Sequence, residues 1–190
     1  MSVVLERLRP DHAPALLVFE RENRAYFAAA VPDRGDAYFE EFDARHRALL
    51  DEQEEGTVRF HVLVAGDGAI VGRVNLVDVA DGAAELGYRI AESATGRGLA
   101  TRGVLEVCRL AVEEYGLRRL YAKASAGNAA SRAVLARVGF GAVGGERLRT
   151  GESAIAYELD LGEFRGGNGP GPGQLPQVGG AVAIEEVPEA

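Results

Sequence analysis

The chain has 190 residues, 47% hydrophobic and 26% charged, with a formal net charge of −8. That balance is enough for one compact domain with a substantial core and excludes a disordered chain. The acidity excludes a surface that broadly attracts nucleic acid or anionic lipid, because such binding needs Lys and Arg against phosphates. Cys108 is the only cysteine, which excludes an internal disulfide, and no apolar run has the length of a membrane span or the pattern of a leader. The chain therefore reads as soluble and cytoplasmic, with no nucleic-acid or membrane partner.

Val3 to Leu8 alternates as a first strand. Pro10-Asp11 then offers a turn and cap before Leu16, Phe19, Asn23, Tyr26 and Ala30 recur at helical spacing. Residues 31–36 break that helix, and a second opens after Asp36 with Phe39, Phe42, His46 and Leu49 on one face. The acidic run Asp51 to Glu55 reads as a solvated helix end. Three β-rich runs follow, from Val58, Ile70 and Glu85, separated by Gly66-Asp67-Gly68 and Asp81-Gly82, which predicts an antiparallel meander.

Gly96 to Glu114 is helical, Leu120 to Ala124 strand-like, and Asn128 to Val138 helical with a stop at Gly139. Gly141 to Thr150 reads as loop and Ala154 to Leu161 as the last strand. Residues 1–161 thus form one domain. Residues 162–190, with eight Gly and four Pro in 29 positions, read as a flexible tail.

The turn Thr95-Gly96-Arg97-Gly98 follows the meander and opens a helix. Its backbone N–H groups and the positive helix end suit a pyrophosphate. A Walker loop would need a Gly-Lys-Ser/Thr ending, which is absent, and a dinucleotide fingerprint would need glycine at Thr101 and a parallel βαβ setting. Residues 95–140 carry eight Lys or Arg against three Glu, a local basic stretch in an acidic chain. It is either an anion-facing patch or a set of solvated helix faces.

The order strand, two helices, meander, glycine turn, helix, strand, helix, strand resembles the GNAT acetyltransferase superfamily across residues 3–161. Thr95 to Ala100 resembles its acyl-CoA loop, Gln/Arg-x-x-Gly-x-Gly/Ala, matching at Gly98 and Ala100 and departing at Thr95. Asn128-Ala129-Ala130-Ser131, followed by Leu135, Gly139 and Phe140, resembles the Asn-x-x-Ser…Gly-Phe helix of the RimJ/RimL branch, which acetylates ribosomal-protein N-termini. The resemblance implies an α+β fold, with a mostly antiparallel sheet covered by helices on both faces and splayed strands forming an acetyl-CoA cleft.

It further implies acetyl transfer from acetyl-CoA to a primary amine in a ternary complex, with a protein N-terminal α-amine as one acceptor. A small amine such as an antibiotic is an alternative acceptor, and a non-catalytic acyl-CoA sensor an alternative role. The phosphates would sit on Gly96, Arg97, Gly98, Leu99, Ala100 and Thr101. The pantetheine arm would pair with the backbone of Ile90, Ala91 and Glu92, Asn128 would hold it from the other side, and Arg132 would also bind the cofactor.

Glu85 stands where several members place a strand glutamate used as general base; otherwise it is a solvated charge. In a regular strand Glu85, Gly87 and Arg89 face one way and Leu86, Tyr88 and Ile90 the other. The tyrosine that the family often uses as acid is replaced by Leu135. Ser131 is expected to hydrogen-bond the departing sulfur, its alternative being a plain helix N-terminal residue. Tyr26, Phe27, Phe39 and Phe42 are core or line the acceptor groove. Scattered histidines and one cysteine predict no metal, and a homodimer is left open.

Overall fold

The computed structural model describes residues 2–148, 151–162 and 164. Its β-rich runs form strands β1 (Val3–Arg7), β2 (Arg59–Ala65), β3 (Ile70–Ala80), β4 (Ala83–Ile90), β5 (Arg119–Ser125), β6 (Gly141–Arg147) and β7 (Ser153–Asp160). They make one sheet in the order β1-β2-β3-β4-β5-β7-β6, in which only the β4–β5 pair is parallel. The helices are α1 (Ala13–Glu22), α2 (Arg24–Ala28), α3 (Asp36–Glu40), α4 (Phe42–Glu55), α5 (Leu99–Glu113) and α6 (Ala129–Val138).

Alternation along the strands sends side chains to two cores. Val74, Leu76, Leu86 and Tyr88 meet Val104, Val107 and Cys108 of α5 and Leu135 of α6. Phe60 and Val62 meet Leu16, Phe19, Phe27 and Phe42 of the N-terminal helices. Helices therefore cover both faces, as the α+β reading expects.

Four local expectations are corrected. The first helix divides at Asn23, whose Nδ2 donates to the Phe19 carbonyl at 2.8 Å, so the side chain competes with the helical ladder. The second divides at Glu41, giving α3 and α4. Within the acidic run 51–55, Gln53 is buried: its Nε2 donates to the Leu8 carbonyl and its Oε1 accepts from the Phe60 N–H, both at 3.0 Å. One amide thus clamps α4 to the start of β2 and the chain leaving β1.

The expected loop after Gly139 is strand β6, exposed along its length and paired with β7 through a bulge. Its glycines hide it from propensity, and the free edge of β7 imposes the pairing. The expected flexible tail, residues 162–190, lies outside the described residues apart from 162 and 164.

His61 is a core residue. With the Val74 carbonyl 3.2 Å from Nδ1 and the Tyr115 hydroxyl 2.8 Å from Nε2, the neutral ring is satisfied by donating from Nδ1 and accepting at Nε2. Burial, aided by the Arg7 and Arg59 charges, pushes its pKa down to about 4. The unfolded chain binds this proton near pH 6.5, so the stability from neutral His61 is full above that pH and lost as pH falls toward 4. Thermal unfolding is expected to show His61 costing about 3 kcal/mol across that window. A His61→Gln variant is expected to have a flatter profile there.

Candidate active site

Strands β4 and β5 pair only at Ala83 to Glu85 against Arg119 to Tyr121. Beyond that, β4 follows β3 to Ile90 and β5 follows β7 to Ser125, so the two separate and each keeps one open edge. The Ala91 N–H donates to the Val71 carbonyl at 2.9 Å, which fixes the phase of the β3–β4 ladder. Alternation then turns the backbone groups of Leu86, Tyr88 and Ile90 toward the cleft.

This corrects part of the expected pantetheine edge. Ile90 lies on it, but the Ala91 amide is committed to Val71, and the Glu92 amide donates to Asn23 Oδ1 at 2.8 Å. The chain turns at Glu92 to Ala94, and the Glu92 carbonyl accepts from both the N–H and the hydroxyl of Thr95. Leu86 and Tyr88 are the edge residues that the sequence reading missed; the phase depends on a pairing partner that local pattern does not reveal.

The glycine turn is open and leads into a helix start with no side-chain cap. Gly96 and Gly98 have φ of 72° and 71°, in the left-handed region, and a Cβ at either would meet no atom within 4 Å. Gly98 caps α5 without any side-chain bond, so the amides of Leu99, Ala100 and Thr101 lack intrahelical acceptors. Leu99 is buried, which anchors the helix start and leaves its amide as its contribution. Arg97 is exposed beside the turn. Thr95 spends its hydroxyl on the Glu92 carbonyl at 2.8 Å, which explains its departure from Gln or Arg: it shapes the turn.

Asn128 and Ser131 are brought to the opposite wall. Asn128 Oδ1 accepts from the Ser131 N–H at 3.0 Å and so caps α6. The Ser131 hydroxyl is buried, 3.2 Å from Tyr88 Oη, which also donates to the Ser131 carbonyl at 3.3 Å. Burial pushes the Tyr88 phenol up, against the lowering effect of Ser131, so it stays protonated. The hydroxyl pair links β4 to α6 across the splay. Tyr88 packs with the core as expected, while its polar end was missed; a tyrosine in an apolar strand face is itself a signal that a partner exists. Arg132 has a buried Nε with no hydrogen-bond partner among the described residues. That suits an additional acceptor brought by a ligand.

Glu85 is half-buried at the point where the strands part, its carboxylate 3.3 Å from Lys123 Nζ of β5; Lys123 also lies 3.9 Å from Glu146. Two other members of the basic stretch pair elsewhere: Arg109 with Glu106 and Glu113, and Arg119 with Glu158. Phe27 and Phe42 are both core, and Phe27 also borders, with the less buried Phe39, a hollow beside Arg89. Burial pushes the Cys108 thiol up to about 12, so it is no nucleophile at neutral pH. Among the described residues no cluster of three His, Cys, Asp or Glu could hold a metal, and no helix is long and apolar enough to cross a membrane.

The sequence model of the acetyltransferase (GNAT) domain matches residues 2–141. "Putative ribosomal N-acetyltransferase YdaF" of Bacillus subtilis is 31% identical over 148 residues, covering 73% of this chain and 77% of that protein. In fold, the chain is similar to the ribosomal-protein-S5-alanine acetyltransferase of Vibrio fischeri, with a TM-score of 0.81 and 20% identity over 87% of this chain and 96% of that one. It is likewise similar to Mycobacterium smegmatis RimJ in complex with CoA-disulfide, with a TM-score of 0.78 and 23% identity over 85% and 83%.

Proposed function

The chain belongs to the acetyltransferase (GNAT) domain family and moves acetyl from acetyl-CoA to an amine, and on that premise we propose that the acceptor is the N-terminal α-amine of a protein. The observation that carries the site assignment is the splay of β4 from β5, flanked by the uncapped α5 terminus on one side and the Asn128–Ser131 cap on the other. The ribosomal name of the YdaF relative supports the choice of acceptor.

In this reading the amides of Gly96 to Thr101 hold the pyrophosphate, with Arg97 and Arg132 adding charge. The backbone of Tyr88 and Ile90 pairs with the pantetheine arm as an added strand, and Asn128 flanks it. Glu85 accepts the proton of the amine, whose nitrogen attacks the thioester carbonyl. The carbon–sulfur bond breaks, and Ser131, backed by the Tyr88 hydroxyl, donates a hydrogen bond to the departing thiolate. Thiols ionise near pH 8.5, so the sulfur needs stabilisation more than full protonation.

Thiol release from acetyl-CoA with a panel of peptides and small amines tests this. Acetylated peptide N-termini are expected; turnover of small amines alone would overturn the acceptor assignment. No turnover with any acceptor despite CoA binding would favour the sensor role. Ser131→Ala is expected to lower kcat about tenfold, the loss of one hydrogen bond made chiefly in the transition state. An unchanged kcat would return Ser131 to a purely structural role.

A further inference from the structure

Asn75 of β3 is 3% exposed, and its Oδ1 is buried with no hydrogen-bond partner among the described residues. A buried amide oxygen in that state costs stability that an apolar side chain of the same size would not. Its surroundings show what such an oxygen can serve.

Alternation along β3 sends Val74 and Leu76 into the core under α5 and Arg73 to the other face, where it lies 3.0 Å from Glu20 of α1. Asn75 shares that second face with Arg73. So does Glu85 of β4, because its neighbours Ala84 and Leu86 belong to the α5 core. In the antiparallel register Asn75 stands opposite Gly87 and Glu85 opposite Val77. Asn75 and Glu85 are therefore diagonal neighbours on one face, about 7 to 8 Å apart at the backbone.

Within the sheet, three sides of Asn75 carry side chains. Phe60 of β2 stands opposite it on one flank and is core, Val77 packs against the same core, and Arg73 meets Glu20. The fourth side is Gly87, which has none. Beyond Gly87 lies the open edge of β4, because the pairing with β5 ends at Glu85. The glycine thus leaves no side chain of its own strand between the Asn75 amide and the cleft.

We propose that Asn75 is an acceptor-binding residue, whose Oδ1 accepts a hydrogen bond from the amine held beside Glu85 and so aims its nitrogen at the thioester carbonyl. The inference rests on the placement of the acceptor amine at Glu85, and it applies to peptide and small primary amines alike. An acceptor ammonium has three N–H groups. Once one proton has left, two N–H groups and a lone pair remain, and fixing an N–H directs the lone pair. A nitrogen about 3 Å from each of two oxygens bridges a gap of up to about 6 Å, which suits side chains at diagonal positions. A neutral amide also orients the amine without the charge by which a second carboxylate would hold it protonated. Orientation of this kind acts on rate through geometry.

The test is Asn75→Leu, which keeps the size of the side chain and removes the accepting oxygen. It is assayed with an alanine-initiated hexapeptide and with butylamine. For the better of these acceptors kcat/KM is expected to fall at least about tenfold, the equivalent of one hydrogen bond, while KM for acetyl-CoA stays within about twofold. The melting temperature is expected to stay level or rise, since no bond within the protein is lost. Unchanged acceptor kcat/KM overturns the proposal, as does a loss matched by an equal rise in KM for acetyl-CoA. Should Asn75→Leu melt lower or fail to fold, Asn75→Ala is judged by the same kinetic comparison.

Glu85→Gln separates this proposal from the base reading. Normal kcat in Glu85→Gln beside an impaired Asn75→Leu removes the base and upholds Asn75; the opposite pair removes Asn75 and leaves the base standing. Should neither amine turn over, calorimetry of both against the CoA-saturated proteins decides. Binding about tenfold weaker in Asn75→Leu upholds the proposal; equal affinity, or no binding to the wild type, overturns it.

Discussion

Replacing Glu85 with Gln is expected to lower kcat by at least about 100-fold while CoA affinity stays within about twofold, because a positioned general base contributes roughly 10²–10⁴ in rate. Gln keeps the size of the side chain and can still contact Lys123, which now lies 3.3 Å from the carboxylate. What it removes is the carboxylate proposed to take the amine proton. The side chains of this ion pair are 23% and 31% exposed, and a partly exposed pair contributes little to stability. A loss of rate would therefore report chemistry and not unfolding. Steady-state kinetics at saturating acetyl-CoA, paired with CoA titration, provide the check; an unchanged kcat would leave Glu85 as a structural charge bridging the strands at their parting point.

Gly98→Val is expected to weaken CoA binding by about 100-fold or more, measured by calorimetry, with a smaller effect on thermal stability. Two causes act together. At φ 71° a β-branched residue is strained, and its side chain would fill the open space over the α5 terminus, where the glycine now leaves nothing within 4 Å. The amides of Leu99, Ala100 and Thr101 would then be masked from a phosphate. Gly98→Ala separates the causes, since it keeps most of the backbone strain and adds only a methyl group. Normal CoA affinity in Gly98→Val would contradict the placement of the phosphates on this turn.

The glycine turn and the α6 cap were legible because their chemistry is local. A left-handed φ favours glycine, and an Asn three residues before Ser131 can cap a helix without help from elsewhere. Hydrophobic periodicity likewise placed most strands and the long helices. The breaks at Asn23 and Glu41 were not legible, since periodicity continues across them; at Asn23 the break is tied to a side chain bonded both to Phe19 and to Glu92, far away in sequence. Lys123 as the partner of Glu85, and Tyr88 as the partner of Ser131, required elements far apart in the chain to meet.

The sequence by itself determined the order of most elements, the glycine-opened helix and the family, because each rests on residue type at fixed spacing. Only the tertiary structure decided which backbone edge faces the cleft. The register of β4 against β3 sets that phase, and a shift of one residue would have turned Ala91 instead of Ile90 outward. It also decided that Glu20, Arg34, Arg73 and Arg89 form one buried charge cluster. They come from a helix, a connecting segment and two strands, and only folding brings them within reach of one another, where Coulomb interactions become strong.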